Sequence, residues 1–316
     1  MNEYNYILKE MISKYKITDE DSAMKAIIEI MQEITLCGLG RSNFFNFAAF
    51  YGGTCLRVFF NLPRFSEDLD FSLDIPIGFE LKNYKSYIDN EFASLGLDAT
   101  FEISEKAENN NIKRGYIRGN AIELMNAFGI EEKIIKRLNH NQLIKVKFEV
   151  DSVAPFFSAN DIRFGLMPSP YPVRIYDIES LFACKISAVL CRNWQTRFKG
   201  RDFFDYIFYI KNNVKVSLVC VEDRIKADGI DLNNPLTLDN LKKMLCERFD
   251  MIDFESAKKD VSNFIKDKSQ LDIWSADFFK SITQKLEASE NHVLRLCSDE
   301  EIKEYVNRTR DCWFNK

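Results

Sequence analysis

Two stretches of the chain alternate strictly between apolar and polar residues. Across 65–75, Leu69, Phe71 and Leu73 fall on one side of an extended backbone, and Asp68, Asp70, Ser72 and Asp74 on the other. Across 143–151, Ile144, Val146, Phe148 and Val150 point inward, and Lys145, Lys147, Glu149 and Asp151 share the opposite side. Both read as half-buried strands. Residues 44–51 form a dense aromatic and apolar run that predicts a buried strand, and strand-like segments follow at 100–104 and 115–119. Helical periodicity marks 5–16, and a second helix capped by Thr18–Asp19 carries Ala23, Ile27, Ile30, Met31 and Ile34 on one side, ending near Gly38 and Gly40. Further helices are predicted from Cys55 until Pro63 breaks the run, and at 82–95. The Pro-bearing stretch 155–172 reads as a linker, with Asn109–Asn111 a loop. Beyond it helices are expected at 177–192, 201–211, 237–249, 254–266 and 275–288.

Composition narrows the functional classes. A chain of 316 residues with 46% hydrophobic and 29% charged residues has enough apolar material for a sizeable core. The net charge of −5 gives no blanket attraction for nucleic acid, so any polyanion must be held by local patches. The eight cysteines form no C-x-x-C pair, no leader is recognisable, and no apolar run approaches the roughly 20 residues that span a bilayer. A reduced, cytoplasmic, non-membrane protein is expected. With His140 and His292 the sole histidines, zinc cages and Ser–His–Asp hydrolysis are poor fits.

Three elements carry chemistry. Gly52-Gly53-Thr54 stands at a strand-to-helix turn, where adjacent glycines let backbone approach a phosphate and the helix start favours an anion. Asp68 and Asp70 project from one strand face about 6–7 Å apart. Two such carboxylates repel unless a cation joins them, and Mg²⁺ prefers a few carboxylates plus substrate phosphates; a solvated polar face is the plain alternative. The run Asp68-x-Asp70-x-Ser72-x-Asp74 imitates an EF-hand opening, but Leu73 and Phe79 occupy the positions that need Gly and Glu. A glycosyltransferase D-x-D would leave the double glycine unexplained. Two-metal nucleotidyl transfer calls for a third acid, which alternation assigns to either Glu149 or Asp151.

The stretches Gly52-Gly53-Thr54-Cys55-Leu56-Arg57 and Arg64-Phe65-Ser66-Glu67-Asp68-Leu69-Asp70-Phe71 resemble the opening motif of the AbiEii/AbiGii-type toxin nucleotidyltransferases, members of the DNA polymerase β-like superfamily. The segment 177–188, with Lys185, is similar to their Lys-bearing helix, and Lys199-Gly200-Arg201-Asp202-Phe203-Phe204-Asp205 to their Arg-Asp-x-x-Asp segment. Cys55 and Cys184 depart from the usual residues at their positions. The resemblance implies an α+β fold: a nucleotidyltransferase core with a short mixed sheet (41–170), a helical segment before it (1–40) and a mainly helical C-terminal domain after it (171–316). It also implies roles. Gly52, Gly53, Thr54, Arg57, Ser66, Lys185 and Asp205 would bind nucleotide; Asp68, Asp70, Lys185 and Asp202 would be catalytic; Asp68 and Asp70 would hold Mg²⁺, with Mn²⁺ as a substitute. A salt bridge from Lys185 to Asp202 or Asp205 is the competing role for that lysine.

The implied reaction transfers a nucleoside monophosphate from an NTP to an acceptor, with tRNA 3′ ends the expected acceptor. The protein would be the toxin of a toxin–antitoxin or phage-defence pair, neutralised by a cognate antitoxin. Basic groups at Lys113, Arg114 and Arg118, at Lys133, Lys136 and Arg137, and at Arg192, Arg197, Lys199 and Arg201 around Trp194 would suit an RNA groove. A small-molecule or protein acceptor keeps the same chemistry, and a non-catalytic nucleotide-binding partner module keeps only the fold.

Overall fold

The computed structural model describes residues 3–74, 78–104, 111–152, 158–192, 199–232 and 234–289, with side chains from Tyr6 onward. In chain order the helices and strands begin with α1 (Glu3–Ser13), α2 (Glu20–Gly40), α3 (Phe44–Phe47), β1 (Ala48–Tyr51), α4 (Gly52–Phe60) and β2 (Asp68–Leu73). Next come α5 (Lys85–Ser94), β3 (Ala99–Ile103), β4 (Ile112–Asn120), α6 (Ala121–Ala127), α7 (Glu132–Ile135), β5 (Leu143–Asp151), β6 (Asn160–Gly165) and β7 (Tyr171–Tyr176). The C-terminal part is helical: α8 (Ile178–Cys191), α9 (Gly200–Lys211), α10 (Leu218–Ala227), α11 (Leu238–Phe249), α12 (Phe254–Val261) and α13 (Ala276–Thr283). No described helix is long and apolar enough to cross a membrane.

The seven described strands form one mixed sheet in the order β3-β4-β5-β2-β1-β7-β6. β2 runs parallel to β5, β1 parallel to β7, and the remaining neighbours are antiparallel. Alternation in β2 and β5 places Leu69, Phe71, Phe148 and Val150 in the core with no exposure. The Phe71 ring lies 4.9 Å from Phe44 and 4.8 Å from Phe148. Each such ring contributes about 1.5–3 kcal/mol by leaving water, so the apolar face fixes the register that presents the acids on the other.

Local signals explain most boundaries. Asp19 caps α2 and forms a reciprocal capping box with Ser22. Asp177, Thr237 and Ser275 cap α8, α11 and α13 at the expected starts. Two segments differ from expectation. The run 44–51 divides into a short helix and a four-residue strand, because a continuous apolar run has no period to choose between them. The expected linker at 155–172 instead contains β6 and leads into β7, which is an interior strand between β1 and the edge strand β6. Pro172 hides this strand from a sequence reading. It sits near the start of β7, below the single level, Phe50 with Ile175, at which β1 pairs, where a missing N–H costs no ladder bond on that side. The sheet thus draws β7 from beyond residue 170.

Candidate active site

One row of side chains crosses the polar face of the sheet. Arg114 pairs in register with Glu149, Glu149 with Asp70, and Asp70 with Tyr51. The Tyr51 ring stands 5.5 Å from Tyr176 on the next strand. Asp68 lies one step along, in register with Lys147. Burial, then the nearby charges of Asp68 and Glu149, push the Asp70 carboxyl up to about 7, against the pull of Lys147 and Lys185. Burial likewise raises Asp68, opposed by Lys147 and Arg201. Glu149 behaves differently. Burial would raise it, but Lys147 at 2.6 Å from Oε2 and Arg114 at 2.6 Å from Oε1 together hold it below its usual value.

The glycine turn lies directly against these acids. Gly52 has φ +81°, a left-handed conformation, and a Cβ there would stand 2.6 Å from Asp70 Oδ2. At Gly53 a Cβ would meet Arg64 Nη2 at 2.7 Å and Ser66 Oγ at 2.9 Å. Hydrogen at both positions leaves the backbone free to approach a ligand held by those side chains. The Thr54 hydroxyl donates to the Asp68 carbonyl and lies 2.9 Å from Ser66 Oγ, tying the first turn of α4 to the start of β2. Gln32 Nε2 anchors the same loop through the Ser66 carbonyl at 3.0 Å. Gly52→Ala should therefore cost about 1–2 kcal/mol for the left-handed backbone and the crowded Asp70 carboxylate. Thermal melts of the variant check that number.

A second wall comes from the C-terminal helices. Asp202 and Asp205, three apart on α9, share one side of the helix. Gly200 lets α9 begin against α12, since a Cβ there would sit 1.8 Å from the Ala257 carbonyl oxygen. Lys185 Nζ on α8 bridges both acids, 2.7 Å from Asp202 Oδ1 and 2.9 Å from Asp205 Oδ2. Arg64 grips Asp205 with two parallel bonds, Nε–Oδ1 2.6 Å and Nη2–Oδ2 2.7 Å, in a site where both are under 5% exposed. Arg192 pairs with the other oxygen of Asp202. Burial works to raise both acids, yet their cations keep them below the usual carboxylate range: Lys185 and Arg192 for Asp202, Arg64 and Lys185 for Asp205. Burial followed by Arg192 and other cations lowers Lys199, which marks a positive local field. Lys199 and Arg201 both act on the charge of Asp68, so this wall faces the acids on the sheet.

The structure thus brings Gly52, Gly53, Thr54, Ser66, Asp68, Asp70, Lys185, Asp202 and Asp205 into one neighbourhood, between the polar face of the sheet and helices α8 and α9. Arg57 lies elsewhere in its contacts: it holds Glu29 of α2 through Nε and Nη2 at 3.0 and 3.2 Å and the Leu62 carbonyl at 2.9 Å. Of the two acids offered as a third carboxylate, Glu149 stands across from Asp70 and Asp151 across from Ser72. Lys133 and Lys136 are paired with Glu131 and Glu132 in exposed positions, and Arg118 with Glu102. Trp194 and Arg197 lie outside the described residues. Arg64 and Lys147 were given no role from sequence. Arg64 could have been flagged by its place in the Arg-Phe-Ser-x-Asp-x-Asp run, whereas Lys147 looked like any solvated strand lysine.

The donor set suits a divalent cation. Two desolvated carboxylates, one titrating near neutrality, are relieved by a cation between them, and Mg²⁺ commonly takes one or two protein carboxylates with phosphate oxygens completing its shell. Among the described residues no group of three or more His, Cys, Asp or Glu side chains forms a cage of its own.

Among solved structures the chain is similar to JHP933 from Helicobacter pylori, at 17% identity over 93% of this chain and 99% of that one, with TM-score 0.43. It is also similar to MenT4, a nucleotidyltransferase toxin from Mycobacterium tuberculosis H37Rv, at 12% identity over 95% and 92% of the two chains, with TM-score 0.48. No curated protein matches the chain. The family model described as nucleotidyl transferase AbiEii toxin, type IV toxin–antitoxin system, matches residues 34–287. Spanning well over half of the sequence and every residue of the cleft, that match makes the chain a member of the AbiEii nucleotidyltransferase toxin family.

Proposed function

We propose that the protein transfers a nucleoside monophosphate from an NTP to an RNA acceptor, the 3′ end of tRNA, in a reaction dependent on Mg²⁺, and that a cognate antitoxin restrains it. The observation that carries this reading is the closeness of the Gly52 backbone to the Asp70 carboxylate, such that a Cβ would stand 2.6 Å from Oδ2, at a site where the charge of Lys185 also reaches Asp70. A phosphate chain laid along the turn would meet backbone at Gly52 and Gly53, the Ser66 hydroxyl beside Gly53, and the ammonium of Lys185. Asp68 and Asp70 would hold the ion, which would supply charge neutralisation at the reacting phosphate and lower the pKa of an attacking hydroxyl. The acceptor hydroxyl gives up its proton to water as its oxygen attacks the α-phosphorus in line, the bond to the bridging oxygen breaks, and pyrophosphate leaves with the electron pair.

The residues of this chain supply position and charge. Arg64 locks Asp205, Asp205 and Asp202 aim Lys185, and Arg192, Lys199 and Arg201 give the cleft entrance a positive field. Fixed charges of this kind cost no reorganisation during reaction. The net charge of −5 does not oppose RNA, because one positive groove suffices. Incubating the protein with total RNA and each α-labelled NTP in turn, then weighing the tRNA by mass spectrometry, tests the proposal. Label should join tRNA, add the mass of one or more nucleotides, and vanish with EDTA. Label that stays off RNA with all four NTPs, and moves onto a small molecule or protein, would replace the acceptor; label that moves nowhere would leave a binding module.

A further inference from the structure

Helix α10 belongs to none of the motifs above, yet it brings a cation to the same cleft. It packs along α8 and carries Arg224. The guanidinium lies 5.9 Å from the centroid of the Tyr51 ring, and its charge is among those that act on the Cys184 thiol. Its Nε is buried without a hydrogen-bond partner. No carboxylate among the described residues pairs with it, and the groups whose charge acts on it most are Cys184, Tyr51, Tyr176 and Cys220. A guanidinium carries five donors and keeps its proton at any physiological pH. Two phenols and two thiols are weak company for a full charge withdrawn from water.

The neighbours locate this charge. Tyr51 immediately precedes the glycine turn and is the register partner of Asp70, on the side away from Glu149. Cys184 immediately precedes Lys185, and both Arg224 and Lys185 act on its thiol. A hydrogen bond from Cys220, opposed by burial and aided by Arg224 and Lys185, pulls that thiol below its usual value. Arg224 therefore faces the acid row from the flank opposite Arg114 and Lys147.

We propose that Arg224 is an anion-binding residue of the cleft, whose free donors take a phosphate oxygen either of the NTP triphosphate or of the acceptor backbone. The identity of the phosphate rests on the nucleotidyl-transfer reading; the anion site does not. Calorimetric titration with inorganic triphosphate, and a separate titration with RNA at several salt concentrations, distinguish the two sources. If the triphosphate is the ligand, Arg224→Gln weakens its binding about 10- to 100-fold, the scale of one charge-assisted bond. Arg224→Lys then falls between, having the charge but not the fork. If the acceptor phosphate is the ligand, triphosphate affinity holds, RNA affinity falls, and the salt slope loses about one charge. Arg224→Met preserves the apolar stem and serves where the glutamine variant does not fold. Triphosphate should also slow alkylation of Cys184 in the wild type and not in the Arg224 variants, read by peptide mass. Affinities for both ligands within twofold of wild type in the Gln, Met and Lys variants would overturn the proposal. Arg224-dependent triphosphate binding in a protein that transfers no nucleotide would uphold it and sink the transfer reading alone.

Discussion

Asp70→Asn is expected to lower nucleotidyl transfer by at least about 10²- to 10³-fold, the loss of one preorganised electrostatic contact with the reacting phosphate, while making the metal-free protein more stable at pH 8. The second effect follows from linkage. The folded carboxyl titrates at about 7, against about 3.9 for an aspartate in an unfolded chain. Between those values the native state keeps a proton that the unfolded chain has released. Stability therefore falls as pH climbs from about 4 to about 7 and stays reduced above it. Asp68, also raised, adds a change of the same sign. Asparagine has no proton to lose, so its melting temperature in EDTA should exceed that of wild type by a few degrees at pH 8. The gap should close near pH 4–5. Adding Mg²⁺ with NTP should reverse the order, since only the wild type gains binding energy in its folded state. A gap that is equal at both pH values, or absent, would mean that burial does not raise the Asp70 carboxyl.

The second large effect separates two cations of one network. Arg64→Met should destabilise the protein by about 3–5 kcal/mol, because Asp205 is left wholly buried without its bidentate partner. Asp205→Leu in the same chain should recover part of that loss, as removing both charges leaves no ion stranded. Lys185→Met should behave in the opposite manner. Arg64 still satisfies Asp205 and Arg192 still satisfies Asp202, so folding suffers less. Transfer should nonetheless fall about 10²- to 10³-fold if the ammonium serves the phosphate. Urea melts beside initial rates supply the contrast. Equal stability losses for the two variants, with no separate loss of rate at Lys185, would reduce Lys185 to a structural ion pair.

The pairings explain why Lys185 is ambiguous from its surroundings alone. Within α8 it stands among Leu181, Phe182 and Ile186, and a cation there needs an anion. The structure provides two acids and also the approach to Asp70, so the salt bridges are compatible with the proposed phosphate role, in which the acids would aim the ammonium and the substrate would share it.

Strict alternation in 65–75 and 143–151 was sufficient to give both central strands and to face Asp68, Asp70 and Glu149 together, because a strand has a period of two and only one face can leave water. Capping residues set the starts of α2, α8, α11 and α13 for an equally local reason: the first turn of a helix needs acceptors close in sequence. What sequence left unread depends on contacts distant along the chain. β6 and β7, the latter carrying Pro172, become strands only because β1 and one another supply partners. α10 shows no motif, and its Arg224 gains meaning only where the fold sets it beside Tyr51 and Cys184. The near-neutral titration of Asp70, the commitment of Arg57 to Glu29 and the clamp of Arg64 on Asp205 likewise arise from tertiary burial and long-range pairing. Desolvation and Coulomb energy depend on distance in space, and the chain writes down only distance in sequence.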